Sequence, residues 1–264
     1  MLVHFSKYHG TGNDFVMVDG RGQKDLIPDS GQIRQLCDRR FGIGADGLIV
    51  LEESSQYDFR MRYFNADGLE GTMCGNGGRC ITAFAERLGL IRDQASFEGI
   101  DGSHEATILP DGQIRLKLSD VTGIRTLEDG YLLDTGSPHF VTYVIKLEQI
   151  QVLSEGARIR RQPRFAPGGV NVNYVERGAE SNMISVRTYE RGVENETWSC
   201  GTGVTAAAIA TAYRTGTDHL SFLVNTRGGK LKVDFKPSGE QRYEEIYLTG
   251  PASHVYDGSI EIVI

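Results

Sequence analysis

One motif occurs twice in this chain, and the repetition constrains the fold more than any other feature. Met73-Cys74-Gly75-Asn76-Gly77-Gly78-Arg79-Cys80 is echoed by Ser199-Cys200-Gly201-Thr202-Gly203, with the two cysteines 126 residues apart in a chain of 264. In each copy a cysteine followed by Gly-x-Gly opens a helix-like run. The first runs from Ile81 to Leu88 with Gly89 as its stop, and the second from Val204 to Tyr213, ending near Gly216. The surroundings repeat too. Tyr63 and Tyr189 each stand eleven residues before their cysteine, and Glu70 and Glu196 each stand four before. Thr11-Gly12-Asn13-Asp14-Phe15-Val16 resembles Thr135-Gly136-Ser137-Pro138-His139-Phe140-Val141 with one residue inserted, and Gly42-Ile43-Gly44 falls opposite Gly168-Gly169-Val170. These echoes imply two homologous halves. Residues 1–119 carry Cys74 and are completed by a terminal strand at 259–264, while residues 120–258 carry Cys200.

A cysteine at a helix N-terminus sits against exposed N–H groups and the positive end of the helix dipole, which lowers its thiol pKa from about 8.5. The same N–H groups can hold a carboxylate. Two matched cysteines therefore suggest a paired device. The other two cysteines read as core: Cys37 shares a helix face with Ile33 and Leu36, and Cys80 is turned away from Cys74 on the same helix. No pair has C-x2-C spacing, so neither a structural zinc site nor any other metal is expected.

A hydrophobic content of 39% supports real cores, and a net charge of −7 argues against nucleic-acid binding. The one basic cluster, Arg158, Arg160, Arg161 and Arg164, reads as a solvated helix end. The segment Met1–Tyr8 reads as a strand and lacks the apolar core of a secretory signal, and no run reaches transmembrane length. The expected compartment is the cytoplasm, with no membrane partner.

Strands are expected at 2–8, 15–19, 48–53 and 59–64, a helix from 28–30 to 39, and a hairpin around Pro110-Asp111-Gly112. In the second half they are expected at 131–133, 140–145, 170–175, 184–189, 220–224, 230–235, 246–248 and 259–264, with a linker near 120–130. Gly42-Ile43-Gly44-Ala45-Asp46-Gly47 matches a dinucleotide fingerprint literally, but it precedes a β-type run instead of opening a helix, so it is set aside.

Two related halves, each presenting a helix N-terminus, would offer a caught molecule a thiol on one face and a thiolate on the other. A racemase needs that arrangement, because one group removes a proton from carbon and the other returns one from the opposite side. For an α-amino acid, the backbone N–H groups of Gly75, Asn76, Gly201 and Thr202 are placed to stabilise charge on the α-carboxylate. No lysine motif for a pyridoxal Schiff base is evident, so a cofactor-free site is expected, with the halves closing over a small-molecule substrate.

At this point the motifs resemble a known family. Gly10-Thr11-Gly12-Asn13-Asp14-Phe15, Phe64-Asn65-Ala66-Asp67-Gly68, the Cys74 motif, Tyr189-Glu190-Arg191-Gly192, Cys200-Gly201-Thr202-Gly203 and His254-Val255-Tyr256-Asp257-Gly258 look like diaminopimelate epimerase over almost the full chain. The resemblance implies an α+β fold of two homologous halves. Each would wrap a strongly curved, mostly antiparallel sheet around a central helix, and the halves would be pseudo-two-fold related with the active site in the cleft. It implies interconversion of LL- and meso-diaminopimelate in lysine and peptidoglycan precursor synthesis, by a homodimer. It implies that Cys74 and Cys200 are the acid/base pair and that His139 and Glu190 help set their protonation. Asn13, Asn65, Ser137, Asn171, Glu190 and Arg191 would bind substrate, with Asn65, Asn171 and Arg191 on the distal carboxylate. This chain departs from the family's usual pattern twice: Ser137 stands where asparagine is common, and Gly47 where glutamine is common.

Other readings compete. A proline racemase or hydroxyproline epimerase shares the cysteine chemistry, although Asn65, Asn171 and Arg191 favour a longer substrate with a charged end. A redox switch would join Cys74 and Cys200 reversibly. A catalytically dead binding protein is disfavoured by the presence of both cysteines. The asparagines also suit plain turns, and Glu190 with Arg191 suits a solvated pair.

Overall fold

The structure is a computed structural model and describes residues 2–22, 28–72 and 74–262. Met73 of the first motif and the last two residues of the expected strand 259–264 lie outside the described residues. The chain divides into two compact units, Met1–Leu116 with Gly250–Ile264, and Lys117–Thr249. In chain order the elements up to the boundary are β1 (Leu2–Gly10), β2 (Asn13–Asp19), α1 (Ser30–Cys37), β3 (Gly47–Glu52), β4 (Phe59–Asn65), α2 (Gly75–Arg87), β5 (Gln94–Gly99), β6 (Gly102–Ile108) and β7 (Ile114–Lys117). The second unit holds β8 (Ile124–Leu127), β9 (Gly130–Asp134), β10 (Pro138–Tyr143), α3 (Val152–Arg160), β11 (Asn171–Arg177), β12 (Met183–Glu190), β13 (Asn195–Thr197), α4 (Gly201–Thr215), β14 (Ser221–Thr226), β15 (Gly229–Gly239) and β16 (Arg242–Gly250). Strand β17 (Ser253–Glu261) then returns to pair with β1, so the returning segment begins at Gly250 and not at Ser259.

The duplication is visible in the strand ladders. From β1 to β7 the pairings run antiparallel, parallel, antiparallel, parallel, antiparallel, antiparallel. The pairings from β9 through β10, β11, β12 and β14 to β15 and β16 run in the same order. Register agrees as well. Phe15 faces Gly47 in the first parallel pair, and Val141 faces Asn173 in the second. Each of these residues lies 126 positions from its counterpart.

Helices α2 and α4 are buried nearly all round. Helix α2 packs on β1, β2, β3, β6 and β17, and α4 on β9, β10, β11, β12, β14 and β15. Helix α4 is built for this. Ala206, Ala207, Ala208, Ala210 and Ala212 combine high helix propensity with little volume, and all are buried. The opposite face of each sheet is covered by the other helix of its unit. Ile33, Leu36 and Cys37 of α1 pack on Val16, Val18, Leu48, Val50 and Phe64, while Val152 and Ile159 of α3 pack on Phe140, Val172, Tyr174 and Tyr189. Strands β2 and β3 are thus covered on both faces, which is why they read as continuous apolar runs rather than alternating ones.

The repeated glutamates have a shared role. Arg62 grips Glu70 through two bonds of 2.8 and 2.9 Å, and Arg187 grips Glu196 through two of 2.7 and 2.8 Å. In each unit an arginine on the strand thereby ties down the segment that leads into the cysteine.

Several expectations need correction. The stretch 120–130, expected to be a linker, contains β8 paired with β9. Helices α2 and α4 begin at Gly75 and Gly201, well before the expected Ile81 and Val204. Strands β5 and β13 and helix α3 were not anticipated, although the basic cluster does fall at the end of α3. No helix among the described residues is long and apolar enough to cross a membrane. Replacing fully buried Ile209 with alanine should cost about 2–5 kcal/mol in urea unfolding, whereas the same change at exposed Ile145 should cost less than about 0.5 kcal/mol.

Candidate active site

Each unit places its cysteine at the N-cap of its buried helix, and each does so without the usual device. Helix α1 shows that device: Asp29 caps it, accepting from Gly31 and Gln32 at 2.8 and 2.9 Å, and Gln32 completes a capping box. Cys74 and Cys200 sit at the same position on α2 and α4 in extended conformation and make no side-chain capping bond. The cysteine side chains themselves therefore do not occupy the first-turn N–H groups, and a helix N-terminus suits an anion.

In the first unit, Asn13 is held by Asp46, whose Oδ2 accepts from its Nδ2 at 2.7 Å. Asp46 is in turn paired with Arg39 at 2.7 Å, and Arg39 also pairs with Asp14. Burial pushes the Asp14 carboxyl up, but Arg39 and Lys7 outweigh it and hold it at about 2. Fixing Nδ2 aims the Asn13 Oδ1 at the helix start, where it accepts from Asn76 Nδ2 at 3.2 Å and from the Cys74 thiol at 3.6 Å. Beneath lies Arg79, fully buried, donating to Asn76 Oδ1 at 2.8 Å, Gly75 O at 3.2 Å and Thr11 Oγ1 at 3.2 Å. Of the expected residues this cluster joins Asn13, Cys74, Gly75 and Asn76. Asn65 stands apart at the exposed end of β4, where its Oδ1 accepts from Tyr63.

In the second unit a longer chain of hydrogen bonds leads to the cysteine. Thr188 donates to Asn173 Oδ1 at 2.9 Å, which fixes the carboxamide, and Asn173 Nδ2 then donates to His139 Nδ1 at 3.1 Å. An amide nitrogen is a donor, so Nδ1 must be the bare nitrogen and Nε2 carries the proton. Nε2 lies 2.9 Å from Thr202 Oγ1 and 3.1 Å from Ser137 Oγ. Having accepted from His139, the Thr202 hydroxyl is left to donate to Cys200 Sγ, 3.6 Å away. His139 thus reaches Cys200 through Thr202. Burial first, and the Arg191 charge second, depress the imidazole to about 3, so it is neutral throughout the working pH range.

Asn171 Nδ2 donates to Ser137 Oγ at 2.8 Å, leaving the serine proton available to a ligand, and Asn171 Oδ1 accepts from the Arg191 N–H at 2.8 Å. Among the described residues, the ion pairs of this unit use Arg160, Arg164, Arg187, Arg227, Lys232 and Lys236, and none uses Arg191. Glu190 closes β12 immediately before it. The remaining cysteines belong to the core, where burial pushes the Cys37 thiol up to about 11 and the Cys80 thiol up to about 12.

Asn173 and Thr188 were missed by sequence reasoning, although a signal existed. Asparagine is disfavoured inside strands, yet Asn171 and Asn173 occupy the same face of β11. Gly203 is explained by the same group: a Cβ there would lie 2.4 Å from Asn173 Oδ1. The second glycine of the Cys-Gly-x-Gly motif lets α4 approach β11 closely enough for the hydrogen-bond chain to close.

Solved structures of low sequence identity share the fold. A hydroxyproline epimerase from Agrobacterium vitis matches with a TM-score of 0.71 at 16% identity, covering 98% of this chain and 92% of that one. A PhzF-family phenazine biosynthesis protein from Bacillus anthracis matches at 0.79 and 15% identity, covering 99% and 100%. The sequence comparisons are more specific. The family described as diaminopimelate epimerase matches residues 5–122 and 131–255. A diaminopimelate epimerase from Flavobacterium psychrophilum is 45% identical over 96% of this chain and 98% of its own length, and one from Chlorobaculum tepidum is 44% identical over 96% and 99%. The chain belongs to the diaminopimelate epimerase family.

The His139 environment predicts a pH dependence of stability. Its value is 6.5 ordinarily and about 3 in the fold, so between these limits the unfolded chain binds the extra proton. Stability from this group is complete above pH 6.5 and falls as pH drops toward 3, by up to about 1.4 kcal/mol per pH unit. Denaturant titrations from pH 7 to 4.5 should show that slope, and His139→Gln should flatten it by about one proton.

Proposed function

We propose that this enzyme interconverts LL- and meso-diaminopimelate without a cofactor, in lysine and peptidoglycan precursor synthesis, using Cys74 and Cys200 as its acid/base pair. The observation that carries the reading is the matched pair of cysteines at the N-caps of α2 and α4, neither making a side-chain capping bond, in a chain of this family.

The reaction needs one thiolate and one thiol. The thiolate sulfur takes the α-hydrogen as a proton and leaves a carbanion conjugated with the α-carboxylate. The thiol on the other face then gives its proton to that carbon, so one C–H bond breaks, one forms, and the two sulfurs exchange protonation states. First-turn N–H groups at Gly75, Asn76, Gly201 and Thr202 would stabilise the carboxylate as charge grows on it. The two half-sites differ in a way that suits these roles. Cys74 faces an acceptor, the Asn13 Oδ1, which favours the thiol, whereas Cys200 faces a hydroxyl that donates, which favours the thiolate. His139, held as the Nε2–H tautomer, supports the second arrangement through Thr202, and we assign Glu190 to the same task.

For the distal end of the substrate we propose Asn65, Asn171 and Arg191, with Ser137 and Asn13 completing the contacts. The Arg191 guanidinium, which no described ion pair uses, supports a carboxylate ligand. We further propose a cytoplasmic homodimer, which sedimentation of the purified protein would test.

In heavy water with LL-diaminopimelate and reduced protein, deuterium should appear at one α-carbon together with the meso isomer. Cys74→Ala and Cys200→Ala should each lower turnover at least about a hundredfold. Exchange with proline or hydroxyproline but not with diaminopimelate would overturn the substrate assignment.

A further inference from the structure

The side chain missing at position 47 has its space filled by another residue. Gly47 begins β3 directly across from Asn65 of β4, and it is buried. A Cβ there would lie 2.5 Å from the Phe64 carbonyl oxygen and 2.7 Å from Cε2 of Tyr63. No side chain fits without moving the backbone. The Tyr63 ring also borders a second glycine: a Cβ on Gly71 would lie 3.0 and 3.1 Å from its Cε1 and Cδ1. Buried Phe15 packs edge-on against the same ring, with centroids 6.0 Å apart. The phenol is therefore fixed between two glycines and an aromatic edge, and its hydroxyl donates to Asn65 Oδ1 at 2.8 Å.

We propose that Tyr63 is a substrate-positioning residue, which orients the Asn65 carboxamide so that its two N–H donors face the distal carboxylate. This deepens the function proposed above and rests on it. A carboxamide has one oxygen, and once that oxygen accepts from the phenol its nitrogen must point the other way. The terminal torsion of asparagine is otherwise broad and nearly two-fold, so an unrestrained Asn65 would present oxygen to the anion about as readily as nitrogen. Gly71 guards the same group from the other side, since a Cβ there would reach Asn65 Nδ2 at 2.9 Å. Gly47 thus admits the ring, and Gly71 leaves room for both the ring edge and the amide.

Steady-state kinetics with LL-diaminopimelate test this through a double-mutant cycle. Tyr63→Phe keeps the ring and removes only the hydroxyl. It should raise KM about three- to tenfold, the value of one neutral hydrogen bond, with kcat within about twofold. Asn65→Ala should raise KM at least as much, and Tyr63→Phe should add nothing in that background. Gly71→Ala, which crowds both the Asn65 amide and the edge of the Tyr63 ring, should also raise KM with kcat retained. An unchanged KM in Tyr63→Phe, or effects that multiply across the cycle, would overturn the proposal while leaving the epimerase reading intact. A parent enzyme inactive on diaminopimelate would overturn both.

Discussion

The structure depends on two helices whose N-cap position holds a cysteine instead of a capping side chain. A helix N-terminus normally satisfies its first N–H groups with a serine, threonine, aspartate or asparagine side chain, and α1 does so through Asp29. Helices α2 and α4 place cysteine there instead, with no side-chain capping bond. Losing the bond of a capping side chain costs about 1 kcal/mol per helix. Burial of the helices offsets that cost, because α2 and α4 pack on strands along their length. Strands packed along both helices hold these two helix starts in place.

Close approach is the second requirement, and glycine supplies it. Gly203 lets α4 meet Asn173, and Gly10 lies where a Cβ would be 3.1 Å from the Asn76 carbonyl oxygen. At these distances buried amides can set each other's orientation. Thr188 fixes Asn173, Asn173 fixes the His139 tautomer, and His139 determines which way the Thr202 hydroxyl points. In the first unit Asp46 does the same for Asn13. The two cysteines therefore share a backbone plan, while Cys74 lies near the Asn13 Oδ1 and Cys200 near the Thr202 hydroxyl.

The sequence showed the cysteines, the duplication and the central helices, because Gly-x-Gly after cysteine and a buried apolar run are local signals. Its apolar runs began only after the first turns of the helices. Gly75, Asn76, Gly77 and Gly78 have poor helix propensity, and they are helical because neighbouring strands bury them. Strand β8 was hidden for a related reason: Ile124-Arg125-Thr126-Leu127 offers only one buried residue, and its pairing with β9 is what makes it a strand. The roles of Asn173 and Tyr63 depend on what lies across the sheet from them, and no spacing in the chain displays that.

The central claim is that Cys200 rests as the thiolate and Cys74 as the thiol. Thiolate absorbance near 240 nm, titrated in the parent protein and in Cys74→Ser and Cys200→Ser, measures this directly. The account predicts that Cys200→Ser removes a thiolate signal already present at neutral pH, with a midpoint below the free-cysteine value of about 8.5. Cys74→Ser should remove absorbance only at higher pH. A parent protein with no thiolate at neutral pH, or one whose neutral-pH signal survives in Cys200→Ser, would contradict it.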